Sequence, residues 1–315
     1  MDLPKILVTA ACGDLGSSTI RSLASEGYRI IGTDIKSLCP VEEYMECMEI
    51  VPRATDDDYG DCLLSICKKY NINVIVPCSE VEIRALSKTR YKFSKKSIHL
   101  LINKQKILDT FFDKYTTILY LSSLGITIPK TILLSEYTSN FNLPAIVKPR
   151  NGSGGGGIQK VDDAEFVFYL KRRYGSTMII QEAIGCPEEE YTTGIYSDGI
   201  KTSSITFQRI LAQGGYSQEV KLIHDINIDT LATHIAHSIN LIGSINLQTR
   251  KVGDAYLPFE INPRISSTVM FRSRAGFKDV HWWIRHILYG DTYTFIPPAK
   301  FTGIRYLSEK VFLMP

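Results

Sequence analysis

The chain has 315 residues, 44% of them hydrophobic and 22% charged, and a formal net charge of +3 at pH 7. That is ordinary globular composition, long enough for two or three compact cores, and it excludes a disordered or fibrous protein. Acids and bases are interspersed without the basic stripe that nucleic-acid binding needs; the KFSKK cluster at residues 92–96 reads as a solvated helix end.

Seven cysteines (Cys12, Cys39, Cys47, Cys62, Cys67, Cys78 and Cys186) are scattered and show no C-x-x-C spacing, so they read as reduced cytosolic thiols. Asp2, Pro4 and Lys5 precede a short apolar run, and no window approaches the roughly 18 apolar residues of a membrane span. A soluble cytoplasmic protein without membrane or nucleic-acid partners is expected.

Residues 5–9 read as a buried strand, the turn Ala10-Ala11-Cys12-Gly13-Asp14-Leu15-Gly16 leads into a helix to about residue 26, and residues 28–33 form a strand ending at Asp34. This resembles a dinucleotide fingerprint with Asp34 poised for a ribose hydroxyl, except that its first glycine is replaced by Ala10 or Ala11. The alternation continues with a strand near 49–51, a helix over 57–70, a strand at 74–76 running into Pro77-Cys78-Ser79-Glu80, a helix over 81–91 and a strand at 98–102. Residues 1–102 thus form one parallel α/β layer. Ligands of such sheets bind beyond the carboxyl ends of the strands, so Cys12, Gly13, Asp34, Ser79 and Glu80 are expected in one cleft. At Asn103 the pattern changes to two helices, over 104–112 and 115–124, which marks a domain boundary. Lys104 sits at a helix start, where a cation opposes the macrodipole unless an anion is also present; this points to a functional lysine.

Residues 144–158 read PAIVKPRNGSGGGGI, an apolar run that ends in Lys148 and a loop with five glycines in six residues. Bare backbone N–H groups beside a lysine suit a polyphosphate. Gly152, Gly154 and Gly157 satisfy G-x-G-x-x-G, but a dinucleotide site needs a helix next, whereas residues 158–161 read as a returning strand. The stretch is therefore expected to be a strand, a glycine flap and a strand. A helix over 164–174, a strand at 178–181 and long alternating strands over 191–196 and 201–209 follow, then a helix over 229–241 and paired strands over 243–250 and 255–261.

The last strand ends in Phe259-Glu260-Ile261-Asn262-Pro263-Arg264. Residues two apart on a strand face one side, so Glu260 and Asn262 present two oxygen ligands together, and Asn246 and Gln248 alternate on the partner strand. Such a set suits Mg²⁺, which takes few protein ligands and completes its octahedron with phosphate and water.

Taken in order, the parallel α/β layer, Asn103-Lys104, IVKP before a glycine flap, QEAIG, Glu190-Tyr191-Thr192 and FEINPR resemble an ATP-grasp ligase, in the branch similar to one half of the carbamoyl phosphate synthase large subunit. The resemblance spans about residues 5–290. It implies a mixed α/β and α+β fold: a Rossmann-like domain over 1–102, an ATP-grasp subdomain with the flap over 103–183, and a C-terminal subdomain with the metal site over 184–315. By the same resemblance Lys148 and Lys104 contact ATP phosphates beneath a flap of Gly152, Ser153, Gly154, Gly155, Gly156 and Gly157. Gln181, Glu182, Ala183 and Ile184 form the adenine hinge, and Glu190 holds the ribose. Glu260 and Asn262 carry Mg²⁺ or Mn²⁺, with Asn246 or Gln248 as a third ligand, and Arg264 faces the transferring phosphoryl group or the carboxylate. Asn103 departs from the family, which often has Asp there.

The implied activity is ATP-dependent ligation of a small-molecule carboxylate to an amine through an acylphosphate. Alternatives are phosphorylation of a carbamate, an NAD-dependent oxidoreductase using Gly13, Gly16 and Asp34, and a non-catalytic nucleotide-binding subunit. Arg209, the loop 213–217, Ser266, Ser267, Arg272 and Arg274 are candidates for the substrate pocket. Trp282, Trp283 and Ile287 read as the core face of a final amphipathic helix. The tail over 296–315 packs on the last domain or on a second subunit of a homodimer.

Overall fold

Short β-branched runs separated by amphipathic helices build the first layer: β1 (Lys5–Val8), α1 (Asp14–Ala24), β2 (Arg29–Asp34), β3 (Cys47–Ile50), α2 (Tyr59–Tyr70), β4 (Val74–Val76), α3 (Glu80–Lys88), α4 (Arg90–Ser94) and β5 (His99–Leu100). The computed structural model describes residues 3–152, 156–212, 214–306 and 308–312. The sheet is parallel throughout, in the order β3-β2-β1-β4-β5. Successive residues of β1 serve opposite faces, as strand geometry demands. Ile6 and Val8 pack with Ile20 and Leu23 of α1, whereas Leu7 packs with Leu63 of α2 and Ile83 of α3.

Two short helices, α5 (Gln105–Phe111) and α6 (Lys114–Ser123), lead into β6 (Thr131–Leu133), β7 (Ala145–Pro149), β8 (Gln159–Val161), α7 (Ala164–Tyr174) and β9 (Met178–Glu182). These strands form a small antiparallel sheet, β6-β9-β7-β8, with its own core around Tyr137, Val147, Val167 and Ile180. The remainder is a six-stranded antiparallel sheet. Its elements are β10 (Glu190–Asp198), β11 (Thr202–Leu211), β12 (Ser217–Ile223), α8 (Ile226–Ser238), β13 (Ile242–Val252), β14 (Ala255–Asn262), α9 (Val269–Arg274), α10 (Asp279–Tyr289) and β15 (Thr302–Ile304). Their spatial order is β14-β13-β10-β11-β12-β15.

Two of these strands depart from expectation. Residues 217–223 form β12, where buried Val220 and Leu222 flank exposed Lys221 with the period of a half-buried strand, and the tail supplies β15 as an edge strand on β12. The tail thus packs on the last sheet of its own chain. Trp282 and Trp283 are core residues, as their helical spacing indicates, and they join α1 and the large sheet in one continuous apolar cluster.

Asn103 performs a structural task. It is buried, and its Nδ2 donates at 2.9 Å to both Ser244 O and Pro263 O, tying the exit of the parallel layer to β13 and to the turn after β14. A carboxylate here would face two carbonyls. Asn103→Ala should lower unfolding free energy by about 1–3 kcal/mol, the cost of leaving buried acceptors without a donor. Asn103→Asp should cost more at pH 7 and recover as pH falls and the carboxyl protonates. Urea unfolding at pH 5 and pH 7 checks the order, and equal stabilities of the two variants would contradict it.

Candidate functional site

Two adjoining cavities lie along the polar face of the large sheet. The first, about 250 Å³, is enclosed between the two antiparallel sheets: Ile146 and Lys148 of β7 and Gln181 and Glu182 of β9 face Glu190, Arg209, Gln248, Arg250 and Glu260. The second, about 360 Å³, lies between the large sheet and the parallel layer, where Asp14, Ser79 and Glu80 face Asn246, Asn262, Arg264, Ser266 and Ser267. Arg209, Gly215, Gln248 and Glu260 line both.

Lys148 is the central cation of the first cavity, only 3% exposed. Its Nζ donates to Gln181 Oε1 at 2.9 Å and to Phe259 O at 3.5 Å, and no acid forms an ion pair with it among the described residues. Burial lowers its pKa to about 8, with Glu260 opposing the shift and Lys114 adding to it. Gln181, expected in the adenine hinge, directs its side chain inward: Oε1 accepts from Lys148 Nζ and Nε2 donates to Thr131 Oγ1 at 2.8 Å. Glu182, Ala183 and Ile184 line the cavity beyond it.

Lys104 is exposed and lies elsewhere, lining a separate depression with Ile107, Tyr120 and Ser238. A further lysine near Lys148 is Lys114, not anticipated from the sequence, whose charge helps to lower the Lys148 pKa. Asp113 caps α6 by accepting from Tyr115 N at 2.8 Å and binds Arg150 through both carboxylate oxygens. That pair brings Lys114 N to Arg150 O at 2.9 Å and Lys114 Nζ to Gly152 O at 2.6 Å. The helix-start argument made for Lys104 applies equally to Lys114, and only the fold separates them.

The flap leaves β7 through Gly152 at φ +103 and enters β8 through Gly157 at φ +76, both left-handed positions that favour glycine. Gly156 is exposed. Ser153, Gly154 and Gly155, together with Gln213 of the loop before β12, lie outside the described residues.

Glu190 is buried between two arginines. Its Oε1 accepts from Arg209 Nη2 at 2.7 Å and its Oε2 from Arg250 Nη2 at 3.0 Å, while Arg250 Nη1 holds Ile184 O at 3.1 Å. Arg250 continues the alternation of Asn246 and Gln248 on β13, the signal that would have found it. Arg209 also donates to Gln248 Oε1 at 3.0 Å, so its guanidinium links the two cavities rather than standing free for a carboxylate.

The register of β13 on β14 sets Asn246 opposite Asn262 and Gln248 opposite Glu260. Asn262 Nδ2 donates to Glu260 Oε1 at 3.2 Å, which turns the amide oxygen and Glu260 Oε2 toward further partners. Asn246 Oδ1 already accepts from Thr192 Oγ1 at 3.0 Å, and Gln248 Oε1 from Arg209. Among the described residues no three His, Cys, Asp or Glu side chains converge on one metal position. The donor set is instead one carboxylate with neighbouring amide oxygens, which fits a hard cation that draws its remaining ligands from phosphate and water. Arg264 forms no ion pair among the described residues; its Nη1 donates to Ile265 O at 2.9 Å, and burial lowers its pKa against the pull of Glu80 and Glu260.

Other expectations divide. Ser79 and Glu80 line the second cavity, on a turn fixed by buried Glu82, which accepts from Thr9 Oγ1, Ser79 Oγ and Tyr59 OH at 2.7, 2.9 and 3.0 Å. Cys12, Gly13 and Asp34 do not line it. Asp34 Oδ2 accepts from Cys12 N at 2.9 Å and Oδ1 from Lys36 N at 3.0 Å, so this acid stabilises its own turn, which removes the basis for the oxidoreductase reading. Arg272 is wholly buried in an ion pair with Asp279, and Arg274 is exposed; neither lines the cavity beside Ser266 and Ser267.

Two antiparallel sheets that face each other across a polar cleft, with buried Lys148 on one side and the oxygen donors Gln248 and Glu260 on the other, frame a cavity whose chemistry suits a phosphate. A profile described as ATP-grasp domain matches residues 111–268, and one described as PylC-like, N-terminal domain, matches residues 8–101. The chain belongs to the ATP-grasp family of enzymes. Solved structures share the fold: N5-carboxyaminoimidazole ribonucleotide synthetase from Thermus thermophilus aligns with a TM-score of 0.74 at 16% identity, over 94% of this chain and 82% of that one. The biotin carboxylase domain of the Hydrogenobacter thermophilus 2-oxoglutarate carboxylase, in complex with MgADP, ADP and bicarbonate, gives 0.73 at 14% identity, over 90% and 69%. An L-amino acid ligase from Bacillus licheniformis gives 0.70 at 14%, over 92% and 75%. No curated protein sequence matches significantly. None of the described helices is long and apolar enough to cross a membrane.

Two outcomes follow for nucleotide binding. Lys114→Ala should raise the Kd for Mg·ADP at least about tenfold, the loss of one charge-assisted phosphate contact, while Lys104→Ala leaves it unchanged; calorimetry distinguishes the two. Because the folded pKa of Lys148, about 8, lies below its usual value, its side chain in the free protein is about half deprotonated near pH 8 and largely so by about pH 9. An anionic phosphate should draw a proton back. Mg·ADP binding should therefore take up a fraction of a proton at pH 8.5 and almost none at pH 6.5, read from calorimetry in buffers of different ionisation enthalpy. In the free protein the sign is the converse: Lys148 contributes a penalty to stability below about pH 8 that is relieved as pH rises toward its unfolded value.

Proposed function

We propose that this chain is an ATP-dependent ligase that joins a small carboxylate to an amine through an acylphosphate. The observation that carries the reading is the position of Glu260, which lines both the cavity holding Lys148 and the second cavity, with Asn262 beside it in the second, where Arg264 has no acidic partner among the described residues. In this reading the adenine lies against Glu182, Ala183 and Ile184, and the ribose against Glu190. Lys148 and Lys114 offset the charge of the phosphates, and the flap excludes water from above. Glu260 and Asn262 would hold Mg²⁺, which when bound supplies further charge neutralisation at the phosphate oxygens, with Asn246 or Gln248 as the candidate third donor.

Arg264 orients the acceptor carboxylate from the second cavity. One carboxylate oxygen attacks the γ-phosphorus in line and ADP departs with the bridging oxygen, giving the acylphosphate. The amine nitrogen then attacks the acyl carbon and loses a proton as the C–O bond to phosphate breaks. The products are an amide, ADP and phosphate.

Similarity to one half of the carbamoyl phosphate synthase large subunit, carried by FEINPR and the strand bearing Asn246 and Gln248, supports a carbamate or bicarbonate as the alternative acceptor. The division at residues 102 and 183 into a Rossmann-like layer and two clasping subdomains belongs to the same proposal.

The test is an ADP-release screen over amino acids, small carboxylates and bicarbonate, with hydroxylamine trapping the activated acyl group as a hydroxamate. Acceptor-dependent ADP release with hydroxamate is expected, and release without any trapped acyl group across the whole set would sink the acylphosphate. Glu260→Ala should reduce turnover by at least about 100-fold, the scale of losing a principal electrostatic stabiliser; turnover near the wild-type rate would overturn the metal assignment.

A further inference from the structure

The C-terminal segment, which neither the fold family nor the proposed chemistry assigns a task, touches three residues that line the second cavity. β15 pairs antiparallel with β12, with Gly303 opposite Val220. A Cβ on Gly303 would stand 2.6 Å from Phe271 Cδ1 and 3.2 Å from Val220 Cγ2, so the strand lies flush only because that residue is glycine. The next residue but one, Arg305, is anchored by its own N–H to Gln218 O at 2.7 Å.

The Arg305 side chain then reaches back across the cavity rim. Its Nη2 donates to Ser267 O at 2.6 Å, Nη1 pairs with the Asp14 carboxylate, and the guanidinium lies over the rings of Tyr216 and Phe271 at 5.4 and 5.8 Å. Asp14, Tyr216 and Ser267 all line the second cavity, and they come from three separate segments: the first turn of α1, the loop before β12 and the loop after β14. A planar cation with several donors can hold an acid, a carbonyl and two ring faces at once, which a lysine cannot.

We infer that Arg305 is a positioning residue for the acceptor end of the site. It fixes the spacing of the two loops against α1 and neutralises Asp14, so that an acceptor carboxylate entering toward Arg264 meets no uncompensated negative charge at the rim. The inference rests on the functional reading above for what the cavity holds, while the packing role of Arg305 stands independently of it. Loss of the guanidinium frees the two loops and admits water to the phosphoryl group.

The test uses the full chain with Mg·ADP and Mg·ATP as the only ligands. Arg305→Ala should leave the Kd for Mg·ADP within about twofold, since none of the residues that Arg305 touches, Asp14, Tyr216, Gln218, Ser267 and Phe271, lines the first cavity. It should raise acceptor-free ADP release by about fivefold or more, as water replaces the excluded acceptor. Arg305→Lys should be intermediate, and Gly303→Val, which displaces β15 with Arg305 intact, should reproduce the alanine phenotype. Amide hydrogen exchange should accelerate at residues 214–217 and 266–268 and stay unchanged in β7 and β9. Unchanged ADP release together with unchanged loop exchange would overturn the inference. So would a loss of nucleotide affinity and thermal stability in parallel with them, because that pattern marks a general structural role. If the wild type fails to bind Mg·ADP, the functional reading falls by itself, and loop exchange still decides what Arg305 positions.

Discussion

An ammonium group with almost no access to water and, among the described residues, no carboxylate in direct contact is the constraint around which this molecule is arranged. Lys148 would lose several kcal/mol of hydration if it stayed charged without polar partners. Gln181 Oε1 and the Phe259 carbonyl offset part of that, and the lowered pKa records what remains. The site therefore has an unmet demand for negative charge. Its surroundings suit an anion that arrives from outside: a second lysine bonded to Gly152 O just past the end of β7, and oxygen donors opposite.

A second buried charge cluster links the halves of the cleft. Glu190 accepts from Arg209 on β11 and Arg250 on β13, so three adjacent strands, β11-β10-β13, are joined across their polar face. Arg250 extends the cluster to the Ile184 carbonyl, and Arg209 extends it to Gln248 at the edge of the second cavity. Such a network carries little net stability compared with apolar residues of the same volume, but removing one member strands the others in low dielectric. Its consequence is geometric. Ile184, the floor of the first cavity and β13 share one set of hydrogen bonds.

Packing separates the parts that can move from those that cannot. The parallel layer and the large sheet share one apolar cluster that runs from Ile6 and Leu23 to Phe207 and Trp283, and Asn103 and Arg305 stitch the same boundary with polar contacts. The small sheet has a core of its own. It meets the large sheet chiefly across the polar cleft, where Lys148 and its partners lie, so a ligand in that cleft bridges two separately packed bodies.

Much of this was legible in the residues alone because it depends on local periodicity. Buried strands at β1, β4 and β7, the return of the chain as a strand after the glycines, and the same-face placement of Glu260 and Asn262 all follow from a repeat of two and the conformational freedom of glycine. The long-range choices were not legible. Lys104 and Lys114 both stand at helix starts, and only the Asp113–Arg150 pair brings Lys114 to Gly152. Gln181 lies in a stretch that reads as a hinge, yet the antiparallel register of β7 on β9 turns its side chain onto Lys148. Asp34 closes a strand as a ribose-binding acid would, but the N–H groups of Cys12 and Lys36 take one of its oxygens each. Arg272 follows the metal motif in sequence and is buried behind it, and a tail without a sequence signal becomes an edge strand that places Arg305 on the cavity rim. A sequence specifies which faces are apolar and which turns are possible, because those depend on neighbours a few bonds away. Which of several equivalent charges meets a given partner depends on how distant elements dock, and that is decided only when the whole core closes.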